Sequence, residues 1–143
     1  MRHYLVVANR TLAGGQLVDK LRELNGAGPC TFHVVVPATP PTDRPWTEGE
    51  ARRAAGDRLT VALVRFREAG LDADGEVGDE HPTQAVADVL ERGETFDGIV
   101  LSTLPPKLSK WLKLDLPHRI EAMFELPVIH VMGHPEPEVR GTS

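Results

Sequence analysis

The densest run of side chains able to hold a charged ligand lies between Ser102 and Arg119. There Lys107, Lys110, Lys113 and Arg119 are balanced by Asp115 alone, in a 143-residue chain of net charge −5. Ser102, Thr103 and Ser109 add hydroxyls that can donate to an anion. A second group, Asn9-Arg10-Thr11, follows an apolar run and offers an amide, a guanidinium and a hydroxyl within three positions. Arg10 could complete a positive pocket with Lys107 or Lys110. If residues 107–113 are helical, the three lysines span an arc of about 120°, with Leu108, Trp111 and Leu112 on the neighbouring apolar arc. Trp111 and Leu112 are then expected to be buried. Three readings of this segment stay open: a solvated lysine face on an anchoring turn, an anion site made by side chains, and a protein-partner surface.

Other chemistry has less support. The six histidines lack the i, i+4 pairing of a helical zinc site, and Cys30 is the sole cysteine, so no metal site is expected from spacing. His33 and His130 fall within apolar runs and read as packed or edge residues, and His118 beside Arg119 reads as a helix-start residue near the basic segment. No Gly-x-Ser-x-Gly elbow is present, and Ser102-Thr103 has no base at a diagnostic spacing, so no catalytic residue is named and a non-enzyme is expected. Asp79-Glu80 precedes a helix and reads as favouring its positive end. The acidic balance argues against nucleic-acid and acidic-membrane partners. The run Tyr4–Ala8 is too short for a signal core, and no window approaches the ~20 apolar residues of a membrane span. With one cysteine, these features lead to the expectation of a cytoplasmic protein.

The elements that must position these residues alternate along the chain. Tyr4–Ala8 is a continuous apolar run, as expected for a strand covered on both faces. Leu17, Leu21 and Leu24 recur at helical spacing and stop at Asn25-Gly26. Thr31–Val36 is β-branched and ends at Pro37. The stretch 37–45 carries four prolines and reads as a stiff connection. Thr47 with Glu50 has the spacing of a capping box, opening a helix through Ala51, Ala55, Leu59, Ala62, Phe66 and Ala69 that stops at Gly70. Leu71–Val77 alternates weakly as a third strand, and Val86, Val89 and Leu90 mark the next helix. Ile99–Leu101 is strand four, 116–124 a final helix with Asp115 as acidic N-cap, and Leu126–Met132 strand five. The reading is a single α/β domain over 1–133 with a polar tail over 134–143: three layers, a five-stranded parallel sheet with helices on both faces. In such sheets ligands bind at the carboxyl ends of the strands, where the order reverses. That rule selects 9–11, the connection from Pro37, and 102–115. Val35, near the end of strand two, joins the candidate ligand contacts.

The strand-one exit Val7-Ala8-Asn9-Arg10-Thr11, the long connection after strand two, and the ending Leu126-Pro127-Val128-Ile129-His130-Val131 resemble the universal stress protein family over roughly 2–132. The resemblance implies strand order 3-2-1-4-5, as in adenine nucleotide α-hydrolase-like and flavodoxin-like folds. It implies a role in stress response, ATP or AMP as the ligand class, and a homodimer paired through 128–132. It also implies an acidic residue at the strand-one exit, where this chain has Asn9, and a hydroxyl two positions on, where Thr11 keeps it. The family's ATP binders carry a glycine-rich loop after strand four; residues 102–117 contain no glycine here. Pro105, Pro106 and Pro117 instead fix φ and remove N–H donors that a phosphate would use. The expected ligand is therefore a nucleotide or another anionic small molecule held by Asn9, Arg10, Thr11, Val35, Ser102, Thr103, Lys107, Ser109, Lys110 and Lys113. The alternative is a ligand-free protein-interaction module using 102–115.

Overall fold

The central strand carries the buried apolar run Tyr4–Val7. β1 (Arg2–Val7) pairs in parallel with β2 (Cys30–Pro37) on one side and β4 (Gly98–Thr103) on the other. β3 (Asp72–Gly78) pairs outside β2, and β5 (Val128–Met132) outside β4, giving five parallel strands in the order β3-β2-β1-β4-β5. The order reverses between β1 and β4, so the ends of these strands diverge into different connections and leave a crevice at their carboxyl ends. The computed structural model describes residues 1–12, 14–40 and 45–133. The proposed tail over 134–143 and the middle of the proline-rich connection lie outside the described residues. No helix among the described residues is long and apolar enough to cross a membrane.

Side chains alternate across the sheet and divide the core in two. Tyr4, Val6, Phe32, Val34 and Val36 face α1 (Gly15–Ala27) and α2 (Glu48–Glu68), which contribute Leu17, Leu21, Ala55, Ala62 and Phe66. Leu5, Val7, Val35, Ile99 and Leu101 face α3 (Pro82–Glu91) and α5 (Leu116–Phe124) through Ala85, Val86, Val89 and Ile120. The small residues Ala51, Ala55 and Ala62 let α2 lie close to the sheet. Gly75 of β3 serves the same approach: a Cβ there would stand 2.7 Å from the Val34 carbonyl oxygen and 2.8 Å from Leu59 Cδ1.

Local chemistry sets the element ends. Thr47 and Glu50 form the anticipated capping box, with Glu50 N–H donating to Thr47 Oγ1 at 3.0 Å and Thr47 N–H donating to Glu50 Oε1 at 3.1 Å. Asp79 serves the start of α3, its carboxylate accepting from His81 N–H at 2.8 Å. Other boundaries differ from the sequence reading. α1 runs through Asn25-Gly26 to Ala27 and stops at Gly28, whose N–H donates to the Asn25 carbonyl. β4 extends through Ser102 and Thr103, which pair with Val131 and Met132 although they are polar. β5 begins only at Val128, because Pro127 has no N–H for the ladder; its carbonyl still accepts from Ile99 at 2.9 Å.

The helix expected over 107–113 shrinks to α4 (Lys110–Lys113). Pro105 and Pro106 commit the chain to a turn, closed by Leu108 N–H donating to the Pro105 carbonyl at 2.9 Å. Ser109 is extended and its Oγ caps Leu112 N–H, so the helix restarts there. The expected apolar arc is consequently broken: Leu108 is 61% exposed, and Trp111 and Leu112 are half-buried. Asp115 occupies the N-cap position of α5, yet its side chain does not cap. It sits in the left-handed region, φ 53°, and its carboxylate instead meets His118 Nδ1 at 3.2 Å. Glu125, at the other end of α5, is left-handed as well, φ 54°.

Candidate functional site

At the carboxyl ends of β1 and β4 lies a cleft of about 140 Å3. Its floor is made by the two strand ends, where Thr11 and Ser102 are 2% and 1% exposed. Their hydroxyl oxygens lie 2.5 Å apart, so one donates to the other and the second proton is free to point elsewhere. Ser109 spends its oxygen as an acceptor for Leu112 N–H at 3.1 Å, which leaves its own proton unspent by the cap. Thr103 and Thr39 are committed differently. Thr103 Oγ1 lies 2.7 Å from His130 Nε2 on β5 and 3.0 Å from the Leu104 carbonyl oxygen; Thr39 Oγ1 donates to the Glu80 carbonyl at 2.6 Å. Desolvation of its ring holds the His130 imidazole below its ordinary pKa, favouring the neutral form as Thr103's partner.

The walls combine three cations with the apolar side chains of Pro40, Leu104, Leu108 and Trp111. Arg10 follows β1, Lys110 opens α4, and Arg58 reaches in from α2. Among the described lining residues there is no carboxylate. Asn9 fixes this arrangement. Its Nδ2 donates to the Pro37 carbonyl at 2.9 Å, tying the exit of β1 to the end of β2, and its Oδ1 accepts from Arg58 Nη1 at 2.7 Å. A neutral side chain thus does two jobs that a carboxylate could not: it donates to a carbonyl while it accepts from the arginine. No negative charge is placed in the cleft by doing so. Three guanidinium or ammonium groups and two spare hydroxyl protons thus line the cleft as side-chain donors, the kind of group that can pair with an anion.

Of the residues expected from sequence, Asn9, Arg10, Thr11, Ser102, Thr103, Ser109 and Lys110 come together in this cleft. Val35 does not; it is fully buried in the core beneath α3. Lys107 and Lys113 are exposed and do not line it, because the chain turns at Pro105-Pro106 and restarts at Ser109. His118 is on the surface with Asp115, away from the lining. The sequence reading omitted Arg58, Thr39 and Leu104. Arg58 carried a signal: seven residues after Ala51, it falls on the apolar stripe of α2 with Ala55 and Ala62, and a cation on the sheet-facing stripe must reach past the sheet's end.

No family model matches the sequence, and no curated protein matches it either. Solved structures do. The chain is similar to the universal stress protein from Archaeoglobus fulgidus, with a TM-score of 0.62 at 16% identity over 92% of this chain and 93% of that one. It is also similar to a universal stress protein in complex with cAMP, with a TM-score of 0.58 at 13% identity over 91% and 96% of the two chains. The architecture is the universal stress protein fold: a five-stranded parallel sheet, order 3-2-1-4-5, between two helical layers.

Proposed function

We propose that the protein is a divergent member of the universal stress protein family, acting without catalysis in stress response and binding an anionic small molecule in the cleft between Asn9-Arg10-Thr11 and 102–111. The observation that carries this reading is the lining itself, where Arg10, Arg58 and Lys110 converge with no carboxylate among the described residues. The ligand class is a nucleotide, in keeping with the cAMP held by a protein of the same fold. ATP and AMP fall within the same chemistry. Side-chain cations supply what the glycine-free 102–117 segment withholds. Calorimetric titration with ATP, AMP and cAMP is expected to give saturable binding that weakens in Arg10→Ala and Lys110→Ala. Absence of heat with all three counts against the reading.

One observation favours a second reading, a protein-interaction module without ligand. Leu108 is 61% exposed and Leu114 51%, flanking the half-buried Trp111 on the same segment. A defined partner lost on Trp111→Ala, with the fold intact, supports it; nucleotide carried through purification removes it. Either function is compatible with a cytoplasmic homodimer formed through β5, an edge strand whose Met132 is 51% exposed. Light scattering tests the dimer: it should return twice 15.7 kDa, and the monomer mass refutes it.

A further inference from the structure

Among the described residues, one cluster of potential metal ligands lies on the α3 side of the sheet, and none of its residues lines the cleft. His33 of β2 is flanked by two residues of β3: its Nδ1 is 2.7 Å from Asp74 Oδ1 and its Nε2 is 2.6 Å from Glu76 Oε2. Glu94, just beyond α3, turns back towards the same point, and the ligand atoms of His33, Glu76 and Glu94 all lie within 4.8 Å of one another. The His33 side chain is only 12% exposed. Arg92, at the end of α3, now occupies the common ground: its guanidinium donates to both Glu76 oxygens and to Glu94 Oε1 at 3.1 Å.

We propose that His33, Glu76 and Glu94 form a binding site for a divalent transition metal of the zinc class, which Arg92 occupies when the metal is absent. The arrangement has the parts such a site needs. One imidazole and two carboxylates from three separate segments supply three protein ligands, leaving the remaining position to water. Asp74 stands where an orienting carboxylate belongs: held by Nδ1–H, it fixes the tautomer and turns Nε2 towards the two glutamates. Arg92 supplies one of the two positive charges that a metal dication would bring to the glutamates, and being half exposed it can swing into solvent. Bonds of about 2.0–2.2 Å in tetrahedral geometry put ligand atoms roughly 3.3 Å apart. Glu76 must therefore draw back from His33 by about 0.7 Å, starting from the 2.6 Å contact. Loading exchanges the His33 Nε2 proton for the metal, and that proton goes to solvent. An imidazole ligand selects zinc-like ions over Mg2+, which prefers oxygen alone. The residues are 43 and 18 positions apart in sequence, which is why spacing did not reveal them.

The test is calorimetric titration of the chelator-treated full chain with Zn2+, and with Mg2+ in parallel. One zinc per chain with proton release is expected, and no saturable heat with Mg2+. Glu94→Gln, a change of matching shape in the connection beyond α3, should weaken zinc at least tenfold, and Asp74→Asn by about 10–100-fold. Arg92→Ala should tighten zinc several-fold, because it removes the competing cation. Absence of stoichiometric zinc binding overturns the proposal. So does zinc binding that Glu94→Gln leaves unchanged, which would place the ion elsewhere, or an equal response to Mg2+. Weaker zinc in folded Arg92→Ala also overturns it, since Arg92 would then be supporting the ligands and not displacing the metal.

Discussion

Replacing Asn9 with alanine removes two hydrogen bonds from the cleft's rear wall. The Pro37 carbonyl, in a buried residue, loses a donor at 2.9 Å, and Arg58 loses an acceptor at 2.7 Å. A neutral hydrogen bond contributes about 0.5–1.5 kcal/mol and one to a charged group about 1.5–3 kcal/mol. Asn9→Ala should therefore lower the free energy of unfolding by about 2–4 kcal/mol. For a chain of this size each kcal/mol moves the midpoint by roughly 2–4 °C or somewhat more. Urea unfolding of wild type, Asn9→Ala and Asn9→Asp separates the two bonds. The aspartate keeps an acceptor for Arg58 but faces the Pro37 carbonyl with an oxygen and brings a negative charge to the cleft. It should recover part of the stability and bind anions more weakly than wild type. If Asn9→Ala costs less than about 0.5 kcal/mol, these two hydrogen bonds do not fasten the exit of β1 to the end of β2 and to α2.

Two other measurements probe the fold. Glu125 holds a left-handed conformation at the end of α5 that costs a non-glycine residue about 1–2 kcal/mol, so Glu125→Gly should raise stability by roughly 0.5–1 kcal/mol after the glycine's unfolded-state entropy is offset; an unchanged midpoint contradicts the assigned backbone. Burial lowers the His33 pKa, but its hydrogen bonds to Asp74 and Glu76 outweigh that effect and raise it above the ordinary 6.5. Its contribution is complete below that value and is lost as pH rises through the raised one. Arg92, against desolvation, and His33 hold Glu76 below its ordinary 4.5, so that contribution is present above 4.5 and is lost as pH falls. With chelator present, the stability gap between wild type and His33→Gln should narrow as pH rises from about 5.5 to about 8.5, and a constant gap refutes the pairing.

The legibility of the sequence followed the reach of each signal. Runs such as Tyr4–Ala8 and periods such as Ala51-Ala55-Leu59-Ala62-Phe66 are local, and they gave the order of elements and both faces of the core. The Thr47–Glu50 box is local too, and it stands as read. The carboxyl-end rule then placed seven of the ten candidate residues in one cleft. What failed depended on contacts that no window contains. Helical spacing over 107–113 suggested an arc that the Pro105-Pro106 turn and the Ser109 cap interrupt. Val35 was placed by its position on the strand, while alternation turns its side chain into the core. Arg58 belongs to the site because an amide 49 residues away accepts from it. His33 meets its carboxylates only once β2 and β3 pair in register.

In the proposed function Arg10, Arg58 and Lys110 hold an anion in the cleft. Lys110 is exposed, so reversing its charge tests the field of the site without risk to the core. AMP, ATP and cAMP titrated calorimetrically into wild type and Lys110→Glu at low and high salt should give one-to-one binding by wild type to at least one of them. That binding should be weakened by salt and reduced about tenfold or more in the variant. No binding by wild type to any of the three, or equal affinity in Lys110→Glu, would contradict the account.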